Sequence, residues 1–539
     1  GGYNKSFILQ KRQDMSIEEI CQIAQIEPSD ENKEIIEKYT KHIIAWISSD
    51  EFKQNWAHKP FPPLINPAVM NYAGSNASHA WVLNLPLPKY YDFVVFGAHA
   101  SGLHSAIPAF LYLCGCGLRT MYIRETHGQK DEHKGNKGNY IRMYDELVLA
   151  KQLKDRGDIK YSFLQLSDLC LDKDGVKFFS LVDAIKALHI VKDPLEIIKT
   201  ISACPHRLDK LGFKDSDESV SLGVFLDTDP KEFAKNHIFY SSPNVKDWMI
   251  ERPKMPDINS AEGWIMDGSQ NFHNALMFAL LKGSLKVVKL KQTNDFIGDK
   301  CFDTMKEVAE FFGIDAPKEQ DRWLFEKRVS DYKHFLPLRV YANDEMSVFD
   351  GSNARKISFD KSAYYMDGVS KEVVENSVEF IISTAFSDFS ARASDQDISE
   401  LFELGDDVMR VFIRLKDAIK LLKNPNLLQK AKKYIKMLTN EIKEQAKIEN
   451  TKKFKASDLL EYLEKHPKIA FDLKEILEQD LSVLRANKPE IIDGWQTYQD
   501  FLKLCEKLQK EQKDIELKPM MSNLSVCLAL MDSRLVKSV

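Results

Sequence analysis

Between Tyr91 and about Pro337, short apolar runs alternate with helix-like segments, and this alternation restricts the fold more than any other feature of the chain. Such alternation is typical of a parallel β-sheet that is covered by helices on both faces. The runs are almost continuously apolar, as expected for parallel strands buried on both sides. The sequence therefore predicts an α/β fold with strands at Phe93–Phe96, Thr120–Arg124, Tyr161–Leu164, Leu188–Val191, His237–Phe239 and Leu285–Leu290.

The chain is long enough for two or three domains, and its other segments differ in character from this region. Helical patterns followed by proline-rich connectors precede the α/β region, and short β-like runs separated by turn residues follow it. A lysine-rich helical stretch comes next, and the final residues show no clear element. We therefore predict a helical N-terminal region (1–90), an α/β domain (91–337), a small β insertion (338–396), a helical C-terminal domain (397–515) and a tail (516–539).

Composition excludes several classes of function. The formal net charge of −5 disfavours broad nucleic-acid binding. No apolar run approaches the ~18 residues that predict a transmembrane helix, and no signal-peptide pattern is present, so we expect a cytoplasmic protein. Only two of the eight cysteines, Cys114 and Cys116, lie close together, and no second pair accompanies them. This spacing favours reduced thiols over a zinc site, and we expect no bound metal.

The first predicted strand leads into a tight loop that carries two glycines and two histidines, Gly97-Ala-His99-Ala-Ser-Gly102-Leu-His104-Ser. A strand, a glycine-bearing loop and a helix start aim several backbone N–H groups at one point, where the helix adds roughly half a positive charge. Such a nest can bind phosphate or sulfate without a cationic side chain. The loop resembles a Walker motif only in its two glycines, because Leu103-His104 replaces Lys-Ser/Thr. Hydrolysis of Mg-ATP is therefore disfavoured.

A second strand ends in the cation Lys192, which is followed by Asp193-Pro194 and, two helical turns later, by the hydroxyl of Thr200. Ligand-binding groups of parallel sheets lie at such strand ends, and proline is favoured in the first helical turn. A cation and a hydroxyl at this spacing suit a second phosphate. The two motifs together predict a site for a nucleotide that carries phosphate at both ends.

These motifs resemble those of the sulfotransferase superfamily, in which a loop of the form G-x-x-[RK]-S-G-T-[ST] cradles a 5′-phosphosulfate and strand-[RK]-[DN]-P-x5-S/T holds a 3′-phosphate. Gly97, Ser101 and Gly102 match the first motif, and the segment from Lys192 to Thr200 matches the second. A later segment, Leu285–Asp295 followed by Phe302–Gly313, is similar to that superfamily's last strand and helix. The chain departs from the pattern at Ala100, where the superfamily has a cation. This difference suggests that the transferred group is not sulfate.

A closer resemblance involves Ala80–Tyr90 and the stretch from about Ala470 through Arg485–Phe501, which are similar to capsule-locus sugar transferases of Campylobacter and relatives. Some members of that family are assigned as O-methyl phosphoramidate transferases. The resemblance implies a 3′-phosphorylated cytidine diphosphate donor, a capsular polysaccharide acceptor, and a place at the inner membrane or in the capsule assembly machinery. Two other readings stay open. One is a sulfotransferase using 3′-phosphoadenosine phosphosulfate or a nucleotide-sugar glycosyltransferase, and the other is a non-catalytic assembly role for the helical C-terminal region.

The expected mechanism is an in-line attack by a sugar hydroxyl, which needs positioning and charge neutralisation but no metal or other cofactor. We expect His99 or His104 to act as the base, with Glu125 and His127 as secondary candidates. The expected donor-binding residues are Gly97, Ala98, Ala100, Ser101, Gly102, Leu103, Ser105, Lys192 and Thr200.

Overall fold

The computed structural model describes residues 15–104, 106–123, 135–167, 173–183, 186–214, 216, 218–266, 272, 287–327, 332–361, 363–384, 395–404 and 408–511. The α-helices within these residues are α1 (Ile17–Ala24), α2 (Asp30–Ile47), α3 (Asp50–Asn55), α4 (Ala77–Val82), α5 (Ala106–Leu113), α6 (Gly135–Asp155), α7 (Lys173–Ser180), α8 (Pro194–Ser202), α9 (Pro230–His237), α10 (Trp248–Glu251), α11 (Ser260–Met266), α12 (Lys300–Phe312), α13 (Arg322–Glu326), α14 (Lys371–Asn376), α15 (Leu415–Leu422), α16 (Pro425–Thr451), α17 (Ala456–Lys465), α18 (Pro467–Asp480), α19 (Ser482–Asn487), α20 (Pro489–Asp493) and α21 (Gln496–Glu511). The strands are β1 (Phe93–Gly97), β2 (Cys116–Met121), β3 (Tyr161–Leu166), β4 (Lys186–Val191), β5 (His206–Arg207), β6 (Lys210–Gly212), β7 (Ser219–Ser221), β8 (Gly223–Phe225), β9 (Ile238–Phe239), β10 (Val287–Gln292), β11 (Leu338–Ala342), β12 (Ile357–Asp360), β13 (Ala363–Met366), β14 (Val378–Thr384), β15 (Asp395–Asp397) and β16 (Met409–Arg414).

The main sheet contains five parallel strands in the order β10–β4–β1–β3–β2. Strand β1 is central, so that Val94 pairs with Leu164 of β3 on one side and with Ala187 of β4 on the other. The predicted α/β class and its parallel sheet are therefore confirmed. Five of the six predicted strands belong to this sheet. Strand β2 begins earlier than predicted, at Cys116, and Arg124 lies outside the described residues.

Helices cover both faces of this sheet because side chains alternate along each strand. Phe93 and Val95 lie in a core with the buried apolar side chains of α5 and α12. Val94 and Phe96 lie in the opposite core, which also contains side chains of α6 and α7 and of the N-terminal helices α1 to α4. Burying a side chain of this size contributes roughly 1.5–3 kcal/mol, so the central strand is firmly held. Its carboxyl end therefore forms a stable base for the loop that follows.

The remaining predicted strand, His237–Phe239, lies outside the main sheet, so its predicted place in the parallel sheet is wrong. Residues Ile238–Phe239 form β9, which pairs antiparallel with β5 in a two-stranded ribbon. His237 ends helix α9, and its buried ring bonds through Nε2 to the carbonyl oxygen of His334 at 2.7 Å. This packing joins the segment to a second, β-rich layer.

The second layer contains a five-stranded mixed sheet in the order β15–β16–β14–β11–β8. Residues 338–396 supply three of these strands, while β8 comes from before this segment and β16 from after it. Met409–Arg414, within the stretch expected to be helical, forms β16, where Met409, Val411 and Ile413 are buried. Their two-residue spacing is typical of a strand. The predicted helical domain included this strand together with the lysine-rich helices that follow it.

The C-terminal helices α17 to α21 pack against α8 and α11 of the α/β region. An apolar stripe at helical spacing, formed by Leu473, Ile476, Leu477, Leu481 and Leu484, is buried in this shared core. Ala98 and Val191, from the ends of β1 and β4, belong to the same core. The C-terminal helices therefore lie beside the carboxyl edge of the main sheet. None of the helices in the described residues has the length and apolar composition needed to cross a bilayer.

Candidate functional site

The backbone at the end of β1 lies very close to the neighbouring strand β4, which leaves little room for a side chain there. A Cβ atom on Gly97 would lie 2.8 Å from the carbonyl oxygen of Ile190, so any larger residue would push the strands apart. Ala100 and Gly102 both have positive φ angles, 58° and 92°. For glycine this conformation is easily adopted, whereas for Ala100 it is strained, and such strain concentrates at ligand-binding loops.

Side-chain hydroxyls fix the shape of this loop. Ser101 is fully buried, and its hydroxyl donates to the carbonyl oxygen of Ala98 at 2.6 Å. The hydroxyl of Thr293, just after β10, lies 2.9 Å from the carbonyl oxygen of Ser101 and 3.4 Å from that of Val191. Thr293 therefore ties the loop to the end of β4, a role that sequence reasoning did not assign. Because the proton of Ser101 is used within the loop, this residue shapes the loop.

Lys192 reaches across from the end of β4 and joins the two motifs. Its Nζ donates to the carbonyl oxygen of Ala100 at 3.0 Å. Burial lowers the pKa of this lysine from its ordinary value to about 8, because a charged ammonium loses hydration there. Within the described residues no carboxylate forms an ion pair with Nζ. The motifs predicted from the sequence thus meet, and an incompletely neutralised cation lies between them.

The carboxylate of Asp193, the next residue, accepts backbone N–H groups from the first turns of two helices. One carboxylate oxygen accepts the backbone N–H of Leu195 in α8 at 2.9 Å, and the other accepts the N–H of Tyr498 in α21 at 3.1 Å. Burial is the main reason that the pKa of Asp193 is raised, although these N–H donors oppose the effect. The C-terminal helices are also attached through Trp495, whose indole nitrogen donates to the side chain of Gln292 at 3.2 Å. These attachments were not predicted from the sequence.

His104 is held between two buried polar groups of the β3 end. Arg119 donates to the amide oxygen of Gln165 at 3.4 Å, which turns the amide nitrogen toward His104 Nδ1 at 3.1 Å. Nδ1 is therefore an acceptor, and the ring proton lies on Nε2, which is 2.9 Å from the hydroxyl of Ser167. Both nitrogens of His104 thus bond to the protein. This arrangement suits a residue that positions its neighbours.

His99 lies on the same loop as a half-buried side chain. Its ring centre is 5.3 Å from that of His104 and 6.3 Å from that of Trp264, with which it is nearly parallel. Trp264 belongs to α11, so this helix provides one wall of the site. The site therefore combines an imidazole, an aromatic surface and the loop amides within a small volume.

The remaining predicted residues lie elsewhere or outside the described part of the chain. Thr200 is exposed on α8, and its hydroxyl donates to the carbonyl oxygen of Glu196 at 2.8 Å. Ser105, Glu125 and His127 lie outside the described residues. Among the residues that are described, no group of three or more His, Cys, Asp or Glu side chains could hold a metal ion.

Comparison with known families gives a match to part of the chain. The model of a family described as "Protein of unknown function (DUF2972)" matches residues 292–508, about two-fifths of the chain. The matched part begins at the last residue of β10 and ends in α21, so it includes Thr293, Trp495 and Tyr498 but not the loop after β1 or Lys192. Searches of curated proteins and of solved structures found no match.

Proposed function

We propose that this chain is a transferase that takes an O-methyl phosphoramidate group from a 3′-phosphorylated cytidine diphosphate-type donor and places it on a hydroxyl of a capsular sugar. The observation that supports this proposal most is the contact between Lys192 and the carbonyl of Ala100. This contact brings the ammonium group of Lys192, at the end of β4, to the strained, amide-rich loop at the end of β1. A site built in this way fits a ligand with several anionic oxygens.

The sheet topology supports a ligand at this position. From β1 the chain continues through β2 and β3 on one side of the sheet, and then crosses to β4 and β10 on the other side. The order therefore reverses between β1 and β4, and ligands of open parallel sheets bind outside the carboxyl ends of strands at such switch points. The loop 98–104 and Lys192 occupy this position. A sulfotransferase-like P-loop core is the interpretation that we propose for this arrangement.

The proposal also accounts for the alanine at position 100. The sulfotransferase pattern carries a cation in the loop, whereas here Lys192 brings its ammonium to the backbone of Ala100 from the neighbouring strand. In our proposal the loop amides bind the diphosphate, and Lys192 neutralises the charge that develops on the leaving phosphate. To neutralise that charge, the ammonium group of Lys192 would exchange the Ala100 carbonyl oxygen for phosphate oxygens as its hydrogen-bond acceptors.

We assign the base to His99, whose half-buried ring lies on the loop beside Trp264, whereas His104 bonds to Gln165 and Ser167 and is assigned a positioning role. In the proposed step the sugar hydroxyl gives its proton to His99 and its oxygen forms a bond to phosphorus. The bond between phosphorus and the nucleotide phosphate oxygen breaks, and the nucleotide leaves with the negative charge. His99→Gln is expected to slow transfer by about 10²–10⁴-fold. Binding of the nucleotide product should change little.

The deciding experiment is calorimetric titration of the full chain with cytidine 3′,5′-bisphosphate and, separately, adenosine 3′,5′-bisphosphate. We expect saturable binding of the cytidine compound and weaker binding of the adenosine compound. Preference for adenosine would replace our proposal with a sulfotransferase. Absence of heat and of thermal stabilisation with both nucleotides would refute a 3′-phosphorylated donor altogether.

A further inference from the structure

Helix α15 presents an apolar stripe to solvent on the side of the molecule that carries the second sheet. Leu415, Ile419 and Leu422 are 64%, 50% and 84% exposed. They are spaced four and three residues apart, so they lie on one face of the helix, one above another. Singly exposed aliphatic side chains are common in proteins, but three in register on one helix form a patch.

The orientation of α15 is fixed by its opposite face. Leu421 and Asp417 point inward, and Asp417 is only 1% exposed. The helix also contacts α16 and strands β14 and β16. The apolar stripe therefore stays outside because the fold buries the other face, and turning the helix inward would expose Leu421.

Three lysines lie along one side of this stripe. Lys416, Lys420 and Lys423 are all exposed and follow the same four-and-three spacing, one position along from the apolar residues. Lys420 lies 3.8 Å from Asp417, a distance at which that buried carboxylate offsets part of its charge. The exposed surface of α15 thus consists of the apolar stripe and a row of cationic side chains beside it, although the whole chain has a net charge of −5.

We propose that α15 is an interfacial helix that docks this chain onto a membrane surface containing anionic lipid. Leu415, Ile419 and Leu422 would enter the headgroup–acyl boundary, while the lysine ammonium groups remain among the lipid phosphates. A helix of this composition lies in the plane of the surface and does not span it. The proposal is independent of the reaction assigned above.

Charge and area argue against a second copy of this chain as the occupant. A two-fold contact of α15 with itself would bring the three lysines of one copy toward those of the other. Three aliphatic side chains, each smaller than the roughly 150–250 Å² of an aromatic one, also supply less than the ~800 Å² per partner of a stable interface. A membrane that contains anionic lipid offers phosphate groups to the lysines and an acyl region to the apolar stripe.

Flotation of the full chain with vesicles tests this proposal. Vesicles of phosphatidylcholine alone would be compared with vesicles containing 30% phosphatidylglycerol, at low and at high salt. We expect the protein to float with the anionic vesicles, and to do so less as salt rises. Leu415→Ser/Ile419→Ser/Leu422→Ser should abolish flotation, and Lys416→Glu/Lys420→Glu/Lys423→Glu should lower the partition coefficient at least about tenfold.

Ile448→Ser is the matched control, because Ile448 is 50% exposed on the neighbouring lysine-rich helix α16. It should leave flotation unchanged, and circular dichroism should show that all variants remain folded. Failure of the wild type to float with anionic vesicles would overturn the proposal, as would equal flotation of the triple serine variant. Dimerisation in sedimentation that the triple serine variant loses, without flotation, would instead identify a second copy as the occupant.

Discussion

Replacing Lys192 with methionine should separate its contribution to binding from its effect on the fold. Burial lowers the pKa of this lysine from 10.5 to about 8, so keeping it charged at pH 7 costs the folded state about 3 kcal/mol. Methionine has a similar length and carries no charge. The variant loses the hydrogen bond from the charged ammonium to the Ala100 carbonyl, which contributes about 1.5–3 kcal/mol. The free energy of unfolding should therefore stay the same or rise by up to about 1.5 kcal/mol.

The pH dependence gives this prediction a definite sign. Because the pKa of Lys192 is lower in the folded state than in the unfolded state, the unfolded chain binds more protons between pH 8 and 10.5. The wild type should therefore gain stability over this range relative to the methionine variant. The advantage of the variant is expected to be complete below pH 8 and to disappear as the pH approaches 10.5. Urea denaturation of both proteins at several pH values measures the difference.

Nucleotide binding should change in the opposite direction. A hydrogen bond to a charged group contributes about 1.5–3 kcal/mol, so Lys192→Met should weaken binding of cytidine 3′,5′-bisphosphate about 10- to 150-fold at pH 7. Binding by the wild type should also weaken as the pH rises through about 8, where the lysine loses its proton. Lys192→Arg keeps the charge and serves as the control. A methionine variant that unfolds more easily yet binds normally would show that Lys192 only supports the loop, and would contradict its role in nucleotide binding.

Three other substitutions test the loop around this lysine. Gly97→Ala should destabilise the protein by about 1–3 kcal/mol in urea denaturation, since its Cβ would meet the Ile190 carbonyl oxygen at 2.8 Å. Gly263→Ala, whose Cβ meets nothing within 4 Å on helix α11, should be neutral or slightly stabilising, and equal effects of the two would contradict the close approach. His104→Ala should cost about 2–4 kcal/mol in the same assay, because two buried polar groups lose their partner, and a cost below 1 kcal/mol would show that the ring is not held as described. Thr293→Val should cost about 1 kcal/mol and weaken nucleotide binding severalfold in calorimetry, while Thr293→Ser behaves as wild type; a valine variant with wild-type binding would remove Thr293 from the site.

The main sheet could be predicted because buried parallel strands are written as continuous apolar runs. The two motifs could be predicted because glycines and a strand-end cation are local signals, and the structure places Lys192 against Ala100. The short strands of the second sheet carried weaker signals. Strand β8 has three residues, and its partner β11 lies more than a hundred residues further along the chain. Such pairing depends on tertiary packing and leaves no local pattern.

The two residues that bond to His104 are recognisable in the sequence as polar residues at the end of an apolar strand. Gln165 and Ser167 interrupt or follow the apolar strand β3, and both are fully buried. A polar side chain in a buried strand needs a partner, so each of them indicates a nearby hydrogen-bonding group. The loop of Gly97 to His104 lies beside the same end of the sheet. The sequence therefore indicated that a hydrogen-bonding group of this loop lies against the end of β3, although not which one.

The C-terminal helices belong to the candidate site, and the carboxylate of Asp193 shows how. It bonds to the first turns of both α8 and α21, which are about three hundred residues apart in sequence. The hydroxyl of Thr497 donates to Glu196, which is also in the first turn of α8, at 2.9 Å. Because Lys192 precedes Asp193 directly, displacement of α21 would shift the strand end that carries the cation. The helices matched by the family model therefore help to fix the position of Lys192.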